Sequence, residues 1–300
     1  MISVLRYSRM SAYKRIPSLV SRHSIARLCH AQSYISGSQV PPGIQLCPNF
    51  ISPAEEVLLA RWAMQQLGAS TWRPGHFDGV IRHYREVSRP IAQVPSEVAE
   101  PVSRAMGMFP AGASLQTELH ILDLAAHGEI GAHVDSVKFL GHQLAGICLL
   151  SDAIMELKPA TDEQMTSSHT ATRGSGASGS SQDTAAAQAA TVQLWLPRRA
   201  AYSLSGDARY QWSHAVLGGT HDFRTTLPEE QSIARHGWAT SSDTMAAREL
   251  LPSEPTPWEH IAGTRPHPGP ERTVRIVRGR RITLMLRDTV PTGAGAAASE

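Results

Sequence analysis

The residues best suited to chemistry are a histidine and an aspartate two positions apart, His133 and Asp135. They follow a segment with the pattern of a strand, and in an extended chain residues i and i+2 project to the same side. An imidazole nitrogen and a carboxylate oxygen placed in this way can bind one metal ion. A second histidine from a distant strand would complete a two-histidine, one-carboxylate face that leaves positions open for a co-substrate and dioxygen at iron(II).

The second histidine is expected to be His214. It follows a predicted strand at 202–204 and a turn at 205–207, whereas the alternatives lie in segments that we expect to be mobile. Those alternatives are His169, His221, His236, His260 and His267.

Two arginines on the last predicted strand indicate an anionic ligand. With a period of two residues, Arg281 and Arg287 share one strand face with Thr283 and Met285, while the other face carries Ile282, Leu284 and Leu286. Guanidinium groups are always charged and pair with carboxylates, so two of them on an inward face require anions. A dicarboxylate co-substrate, together with Asp135, would supply them.

The elements that position these residues are mostly strands. Ser52, Pro53 and Glu55 have the form of a capping box, and an apolar stripe of Leu58, Leu59, Trp62 and Leu67 predicts a helix that ends at Gly68. Alternating or continuous apolar runs predict strands at 117–124, 144–150, 192–196 and 282–286. The fold is therefore expected to be mainly β with helices near the amino-terminal end.

Composition excludes several classes of protein. An apolar content of 41% is ordinary for a globular protein, and no apolar run reaches the length of a membrane-spanning helix. The three cysteines, Cys29, Cys47 and Cys148, form neither a disulfide framework nor a four-cysteine zinc site. We therefore expect a protein without a membrane segment that resides in a reducing compartment.

The net charge of +2 conceals two unlike parts. Residues 1–54 contain six basic and no acidic residues, which leaves 22 basic against 26 acidic residues, or −4, for the rest of the chain. A basic, serine-rich segment with interspersed apolar residues is typical of an organelle-import presequence. We predict a presequence at 1–43; a disordered basic tail is the alternative.

The remaining chain is predicted to be one domain, 44–290, with two insertions. Residues 159–191 are small and polar, so that ordering them would cost more conformational entropy than packing returns, and we expect a disordered loop. Residues 219–272 are rich in proline and form a second long insertion. Residues 291–300 are expected to be a disordered tail.

The ordered set of His-x-Asp, distant histidine and closing arginine pair resembles the AlkB-like family of iron(II)- and 2-oxoglutarate-dependent dioxygenases. Local segments are similar to its mitochondrial AlkB homologue seven branch. These segments are 120–124, 133–139, 208–214 and 278–282, together with Tyr202 twelve residues before His214. The resemblance spans residues 44–158 and 192–290.

The resemblance implies a double-stranded β-helix, a cupin-like jelly-roll whose mouth holds the metal. It implies that Arg281 pairs with the distal carboxylate of 2-oxoglutarate, and that Arg287 lies near the metal-side carboxylate or the ligand aspartate. It also implies that Tyr202 and His120 lie near the co-substrate. The residues that it assigns to iron(II) are His133, Asp135 and His214.

The sequence departs from the nucleic-acid repair members of that family. Where those carry Asn-x-Tyr before the metal motif, this chain has Leu122 and Leu124, and the part after residue 54 is net acidic. The segment 76–81 is expected either to line the substrate side or to pack on the surface. These features favour a monomeric mitochondrial-matrix dioxygenase that acts on a protein or another non-duplex substrate, binding neither duplex DNA nor a membrane.

Three other functions stay open from the sequence. The first is demethylation of methylated bases in mitochondrial RNA. The second is zinc-dependent hydrolysis at the same three ligands, which leaves the arginine pair unexplained. The third is a binding module that retains the β-helix without catalysis.

Overall fold

The computed structural model describes residues 32–37, 39–137, 140–167, 191–227 and 270–289. The helices in these ranges are α1 (Pro53–Leu67), α2 (Ser96–Met106), α3 (Asp162–Ser167) and α4 (Gly206–Tyr210). The strands are β1 (Ile35–Ser36), β2 (Ile44–Cys47), β3 (Arg73–Gly75), β4 (Ile81–Pro90), β5 (Glu118–His133), β6 (Gln143–Leu149), β7 (Ala153–Pro159), β8 (Val192–Leu196), β9 (Ala201–Ser205), β10 (Trp212–Val216), β11 (Thr220–Thr225), β12 (Arg272–Val277) and β13 (Arg281–Arg287). Across these ranges no helix is both long enough and apolar enough to cross a membrane.

Helix α1 begins and ends where the sequence predicts. The Ser52 hydroxyl accepts the backbone N–H of Glu55 at 3.2 Å, and the Glu55 carboxylate accepts the backbone N–H of Ser52 at 2.7 Å. This capping box satisfies two helix-end donors, and Gly68 forms the C-cap. Leu59 is buried as expected, but Leu58 is 40% exposed and lies outside the buried stripe.

Strand β5 is long enough to serve two halves of one curled sheet. Its first part pairs with β13, and its last part pairs with β10. Strand β4 pairs with both parts of β5 along its other edge. The pairing is interrupted once, where the single β4 residue His83 lies opposite the four β5 residues 125–128. A bulge of this kind bends a strand, and His83 adopts a positive φ of 51° within it. The bend carries β5 from one half of the sheet to the other.

The strand order confirms the jelly-roll architecture. Neighbouring strands are antiparallel along the path β1-β8-β7-β10-β5-β13-β6-β9-β2, with β3 and β4 attached beside β5. The part on the β10 side packs face to face with the part on the β13 side. The predicted mainly β fold with flanking helices, a double-stranded β-helix, is therefore correct, and β13 lies at its centre between β5 and β6.

Two apolar clusters hold these layers together. The inner cluster fills the space between the two halves of the sheet and includes Leu124, Trp195 and Leu204. The outer cluster joins the opposite face of β5, β6 and β13 to helices α1 and α2 and includes Leu59, Val102, Ile121, Ile147 and Leu284. Because strand side chains alternate, the residues between these outer positions must face the interior.

Much of the predicted presequence and of the two predicted insertions lies outside the described residues. Of the predicted presequence, the described residues 32–36 form a 3-10 turn and β1, and Tyr34 packs on Trp195 with ring centroids 5.4 Å apart. Residues 168–190 and 228–269 of the two predicted insertions, and the tail 291–300, lie beyond the described ranges. The ends of the second insertion form the hairpin β11–β12. The boundaries and the presequence thus stay predictions.

Candidate metal centre

Three side chains that could bind a metal ion meet at the open end of the curled sheet. His133 is the last residue of β5, Asp135 follows it by two residues, and His214 lies directly opposite His133 on β10. The His133 Nε2 atom is 3.5 Å from Asp135 Oδ1, and His214 Nε2 is 4.0 Å from Asp135 Oδ2. One ligand atom from each residue lies within 4.8 Å of the others. A single ion can therefore contact all three.

Hydrogen bonding leaves the ligand atoms free for that ion. His133 Nδ1 lies 2.9 Å from the Gly131 carbonyl, which only accepts, so this nitrogen carries a proton and Nε2 is the atom that faces Asp135. Asp135 Oδ2 and His214 Nδ1 are buried without a hydrogen-bond partner. Buried polar atoms are normally satisfied, so the cluster fits a cation.

Electrostatics favour the metal-binding protonation states of His214 and Asp135. The pKa of His133 is raised despite its burial, because Asp135 accepts its hydrogen bond, and a bound metal ion would displace that proton. Burial and the neighbouring His133 together lower the pKa of His214 to about 3, so that its ring is neutral. Burial alone would raise the pKa of Asp135, but the hydrogen bond with His133 and the nearby positive charges hold it well below its ordinary value. A neutral imidazole and an ionised carboxylate are the ligand forms that a metal requires.

Arg209 fixes the backbone of the metal loop. Its side chain is 1% exposed, and its two terminal nitrogens donate to the carbonyls of Asp135 at 2.8 Å and Ser136 at 3.3 Å. Arg209 lies in helix α4, five residues before His214. It therefore connects the loop that carries Asp135, the metal loop, to strand β10, which carries His214. Arg209 belongs to the segment 208–214 that resembles the family, but its sequence position alone predicts no role for it.

The inward face of β13 lies in the interior between the two halves of the sheet. The part of this interior around Arg281, Thr283 and Tyr202 is called the chamber below. Arg281 is 1% exposed, and its Nη2 lies 3.3 Å from the Cys148 sulfur and its guanidinium beside the Tyr202 hydroxyl. Burial raises the pKa of Tyr202 to about 12 and raises the pKa of the Cys148 thiol, so both neighbours are neutral. They offer dipoles to Arg281 but no countercharge.

This chamber fits a dicarboxylate. Among the ion pairs formed by described residues, none involves Arg281, and both its Nε atom and the Thr283 hydroxyl are buried without hydrogen-bond partners. A bound carboxylate would neutralise the buried charge and accept these orphaned donors. Leu122 and Leu124, which replace the polar pair of repair enzymes, are both buried in apolar contacts and supply no polar contact of their own.

A polar chain runs from the surface to Arg287. The His120 Nδ1 atom accepts from Arg287 Nη1 at 3.3 Å, because an arginine can only donate, and His120 Nε2 therefore donates to Glu86 at 2.9 Å. Glu86 in turn lies 3.6 Å from the exposed Arg73. His120 thus contacts Arg287 on one side and Glu86 on the other. Glu86 is not among the residues predicted from the sequence, although it lies two residues after Tyr84 on β4 and so shares its strand face.

The other candidate residues do not reach the metal cluster within the described structure. His221 donates from Nε2 to the Gly218 carbonyl at 2.7 Å, and the remaining alternatives, His169, His236, His260 and His267, lie outside the described residues. The segment 76–81 forms the tip of the β3–β4 hairpin, where Phe77 is 92% exposed and stacks on His76 at 4.2 Å. Its Val80 carbonyl accepts the N–H of Gly131, next to the metal strand.

Comparison with known proteins finds relatives in sequence. The chain is 31% identical over 176 residues to "Alpha-ketoglutarate-dependent dioxygenase alkB homolog 7, mitochondrial" of Mus musculus, covering 59% of this chain and 68% of that protein. The Bos taurus protein of the same name is 31% identical over 178 residues, with the same coverage. The solved structure of OsALKBH1 aligns with a TM-score of 0.44 and 13% identity over 83% of this chain and 100% of the other. No protein-family model matches the chain.

Proposed function

Because the chain belongs to the AlkB family of alpha-ketoglutarate-dependent dioxygenases, we propose that it is a mitochondrial enzyme that hydroxylates a C–H bond of a protein or another non-duplex substrate. Iron(II), 2-oxoglutarate and dioxygen are the cofactor and co-substrates of this dioxygenase. The observation that carries the proposal is the three-ligand cluster at the mouth of a chamber that buries Arg281 without a countercharge.

The side chains divide the work between the metal and the co-substrate. His133, Asp135 and His214 would hold iron(II) through three ligand atoms and leave the rest of its coordination sphere open. When bound, iron(II) supplies the oxidation in which one dioxygen atom enters succinate, formed with carbon dioxide from 2-oxoglutarate, and the other enters a substrate C–H bond. The protein itself binds and orients the co-substrate and the substrate, and it excludes water from them.

Arg281 and Thr283 would bind the distal carboxylate of 2-oxoglutarate. The guanidinium gives the bond its strength because it is charged and buried, and the Thr283 hydroxyl adds a donor on the same strand face. Arg287 would lie toward the metal-side carboxylate, since its charge acts on Asp135 and His120 holds its other side. The inner apolar cluster, including Leu122 and Leu124, would keep bulk water out of the chamber.

Two observations favour a protein substrate over duplex nucleic acid. Residues 55–300 carry a net charge of −4, whereas duplex binding gains most of its affinity from basic contacts with phosphates. Enzymes that extract a base also hold it between aromatic side chains. Two of the described aromatic residues are large and exposed, Phe77 and Trp72. Trp72 is covered by Arg85, with the guanidinium carbon 5.0 Å from the ring centre. Phe77, on the hairpin beside β5, is therefore the one of these two that is free to stack on a base, whereas a pair is needed to hold it.

The relatives and the amino-terminal sequence support a mitochondrial location. Both relatives compared above carry "mitochondrial" in their names. Residues 1–43 contain only basic charges and have the composition of an import presequence. We place the enzyme in the matrix on that basis, and fractionation of mitochondria from cells expressing the full chain tests the placement.

The reaction class is tested by succinate formation. Full-length protein with iron(II), ascorbate and 2-oxoglutarate should release succinate, and Asp135→Ala should release none. Asp222→Ala, which removes an exposed carboxylate that pairs only with Arg275 on the surface, serves as the matched control and should retain activity. A wild-type protein that binds Mn²⁺ but forms no succinate would show that the chain is not a dioxygenase.

The substrate class is tested by mass spectrometry on mitochondrial protein and RNA treated with active enzyme or with Asp135→Ala. Gains of about 16 Da on peptides, one oxygen atom, support the proposal. Loss of a methyl group from RNA bases, where a hydroxylated N-methyl carbon departs, would instead support the RNA demethylase and overturn the protein substrate. RNA affinity that falls steeply with salt would point the same way.

A further inference from the structure

A single glycine lies beneath the ring of Tyr202 at the floor of the chamber. On β6, Leu144 and Cys148 face the interior, and Gly146 is the position between them on the same face. Gly146 pairs with Tyr202 on one side and with Met285 of β13 on the other. The one position without a side chain thus lies between the strand of the tyrosine and the strand of the chamber arginine.

The tyrosine ring occupies the space that a side chain at residue 146 would fill. A Cβ atom added to Gly146 would lie 2.7 Å from Tyr202 Cε1, 2.9 Å from Cζ and 3.0 Å from the hydroxyl oxygen. Carbon atoms do not approach so closely, and the contact involves the ring, which moves only as a rigid unit. The ring of Tyr202 therefore lies across β6, with its hydroxyl end over the glycine.

The backbone at this position does not itself require glycine. Gly146 is absent from the residues with positive φ in the described ranges, so an alanine could adopt its conformation. Glycine inside a strand weakens it by about 0.5–1 kcal/mol relative to alanine, and it commonly marks a close approach by another group. Here that group is the Tyr202 ring.

The position of the ring determines what Arg281 presents to a ligand. Tyr202 is 4% exposed, and its hydroxyl lies beside the Arg281 guanidinium. A neutral phenol is a donor as well as an acceptor, so it can turn its proton toward an anion that binds to the arginine. The two groups then form adjacent donors for one carboxylate, a geometry that a displaced ring would break.

We propose that Gly146 is a positioning residue for 2-oxoglutarate, which lets Tyr202 lie across β6 so that its hydroxyl and Arg281 jointly bind the distal carboxylate. This inference rests on the proposed function, because it assigns the dicarboxylate to the chamber. Gly146 does not touch the co-substrate and acts only through Tyr202. Its substitution should therefore change co-substrate affinity and leave the three metal ligands intact, because the atoms nearest to the added Cβ all belong to Tyr202.

The test compares Gly146→Ala with wild type in the full chain loaded with Mn²⁺, which binds oxygen and nitrogen ligands without supporting turnover. Calorimetric titration with 2-oxoglutarate should give a Kd about tenfold or more higher in the variant, as expected for a lost hydrogen bond to a charged ligand. The Mn²⁺ Kd should not change. Gly75→Ala is the matched control, because its added Cβ meets only the Ile81 carbonyl at 3.8 Å, and it should bind 2-oxoglutarate like wild type.

A double-mutant cycle separates positioning from general damage. In a Tyr202→Ala background the ring is gone, so adding Gly146→Ala should change the 2-oxoglutarate Kd less than twofold. It should also not lower the urea midpoint of the single Tyr202→Ala variant, since alanine stabilises a strand by about 0.5–1 kcal/mol relative to glycine. That second comparison holds even where Gly146→Ala alone does not fold.

Three outcomes overturn the inference. If Gly146→Ala binds 2-oxoglutarate like wild type, the role of Gly146 is refuted while the proposed function stands. The same holds if Gly146→Ala loses affinity equally in the wild-type and Tyr202→Ala backgrounds. Wild-type protein that binds Mn²⁺ but no 2-oxoglutarate refutes the proposed function and this inference with it. In turnover, the expected signature is a raised KM for 2-oxoglutarate with kcat retained at saturation.

Discussion

Replacing Arg281 with methionine is expected to stabilise the ligand-free protein and to abolish 2-oxoglutarate binding. The guanidinium is 1% exposed, its neighbours Cys148 and Tyr202 are neutral, and no ion pair of the described residues involves it. A buried charge without a partner is unfavourable because it loses hydration and gains no attraction in return. Methionine has a similar length and fills the space without a charge.

The magnitude follows from the cost of the unpaired charge. Replacement of buried charged groups by apolar side chains of similar volume is neutral or stabilising by about 1–4 kcal/mol, which for a domain of this size raises the Tm by about 2–4 °C for each kcal/mol. In wild type, 2-oxoglutarate at about 100 times its Kd should add about 2.7 kcal/mol of stability. The Arg281→Met variant should gain nothing from the ligand.

Urea unfolding of the Mn²⁺-loaded protein, followed by tryptophan fluorescence with and without 2-oxoglutarate, measures both effects. Arg278→Met is the matched control, since Arg278 is also buried but donates to the carbonyls of Gly128 and Leu217, each at 2.9 Å. The free energy of unfolding of this control should fall by about 3 kcal/mol, and it should still rise when 2-oxoglutarate is added. The reasoning fails if Arg281→Met loses more than about 1 kcal/mol without ligand, the cost of an ordinary hydrogen bond, or still responds to 2-oxoglutarate.

Four further predictions test other parts of the molecule. His133→Ala should weaken Mn²⁺ binding by more than about 100-fold in a calorimetric titration, and unchanged binding would remove it from the metal site. Arg209→Met, which frees two carbonyls of the metal loop, should weaken Mn²⁺ binding about tenfold, whereas a change in stability alone would assign it a structural role. Glu56→Gln should lower the free energy of unfolding by about 3 kcal/mol in urea, because it removes the buried negative charge that accepts hydrogen bonds from Arg198; a loss below about 1 kcal/mol would contradict this. Ser52→Ala should lower the Tm through loss of about 1 kcal/mol of helix capping, and Ser52→Thr should restore most of it.

The sequence predicts the parts of the site that depend on local periodicity. Strand alternation places Arg281 and Thr283 inside, and the spacing of His133 and Asp135 turns both toward one ion. The capping box at Ser52 is equally local. Each of these features needs only a few neighbouring residues, so no knowledge of distant partners is required.

Features that depend on distant strands could not be derived in this way. The pairing of Glu86 with His120 depends on the register between β4 and β5, which the bulge opposite His83 shifts. Gly146 has no local signal, because its role comes from a ring on another strand. Arg209 lies in a helix of five residues, too short to show a periodic pattern.

The central place of β13 has a consequence for how the chain reaches its active form. Strands β5 and β6 precede β13 by well over 100 residues, and each pairs with it along one edge. A chain that emerges from a ribosome or a translocation channel with its amino terminus first must hold both edges open until residue 281 arrives. Such edges are sites of aggregation, so chaperones would have to shield them during that interval. A product truncated before β13 cannot complete its sheet. It also lacks the arginines that would bind the co-substrate, so it would not consume 2-oxoglutarate.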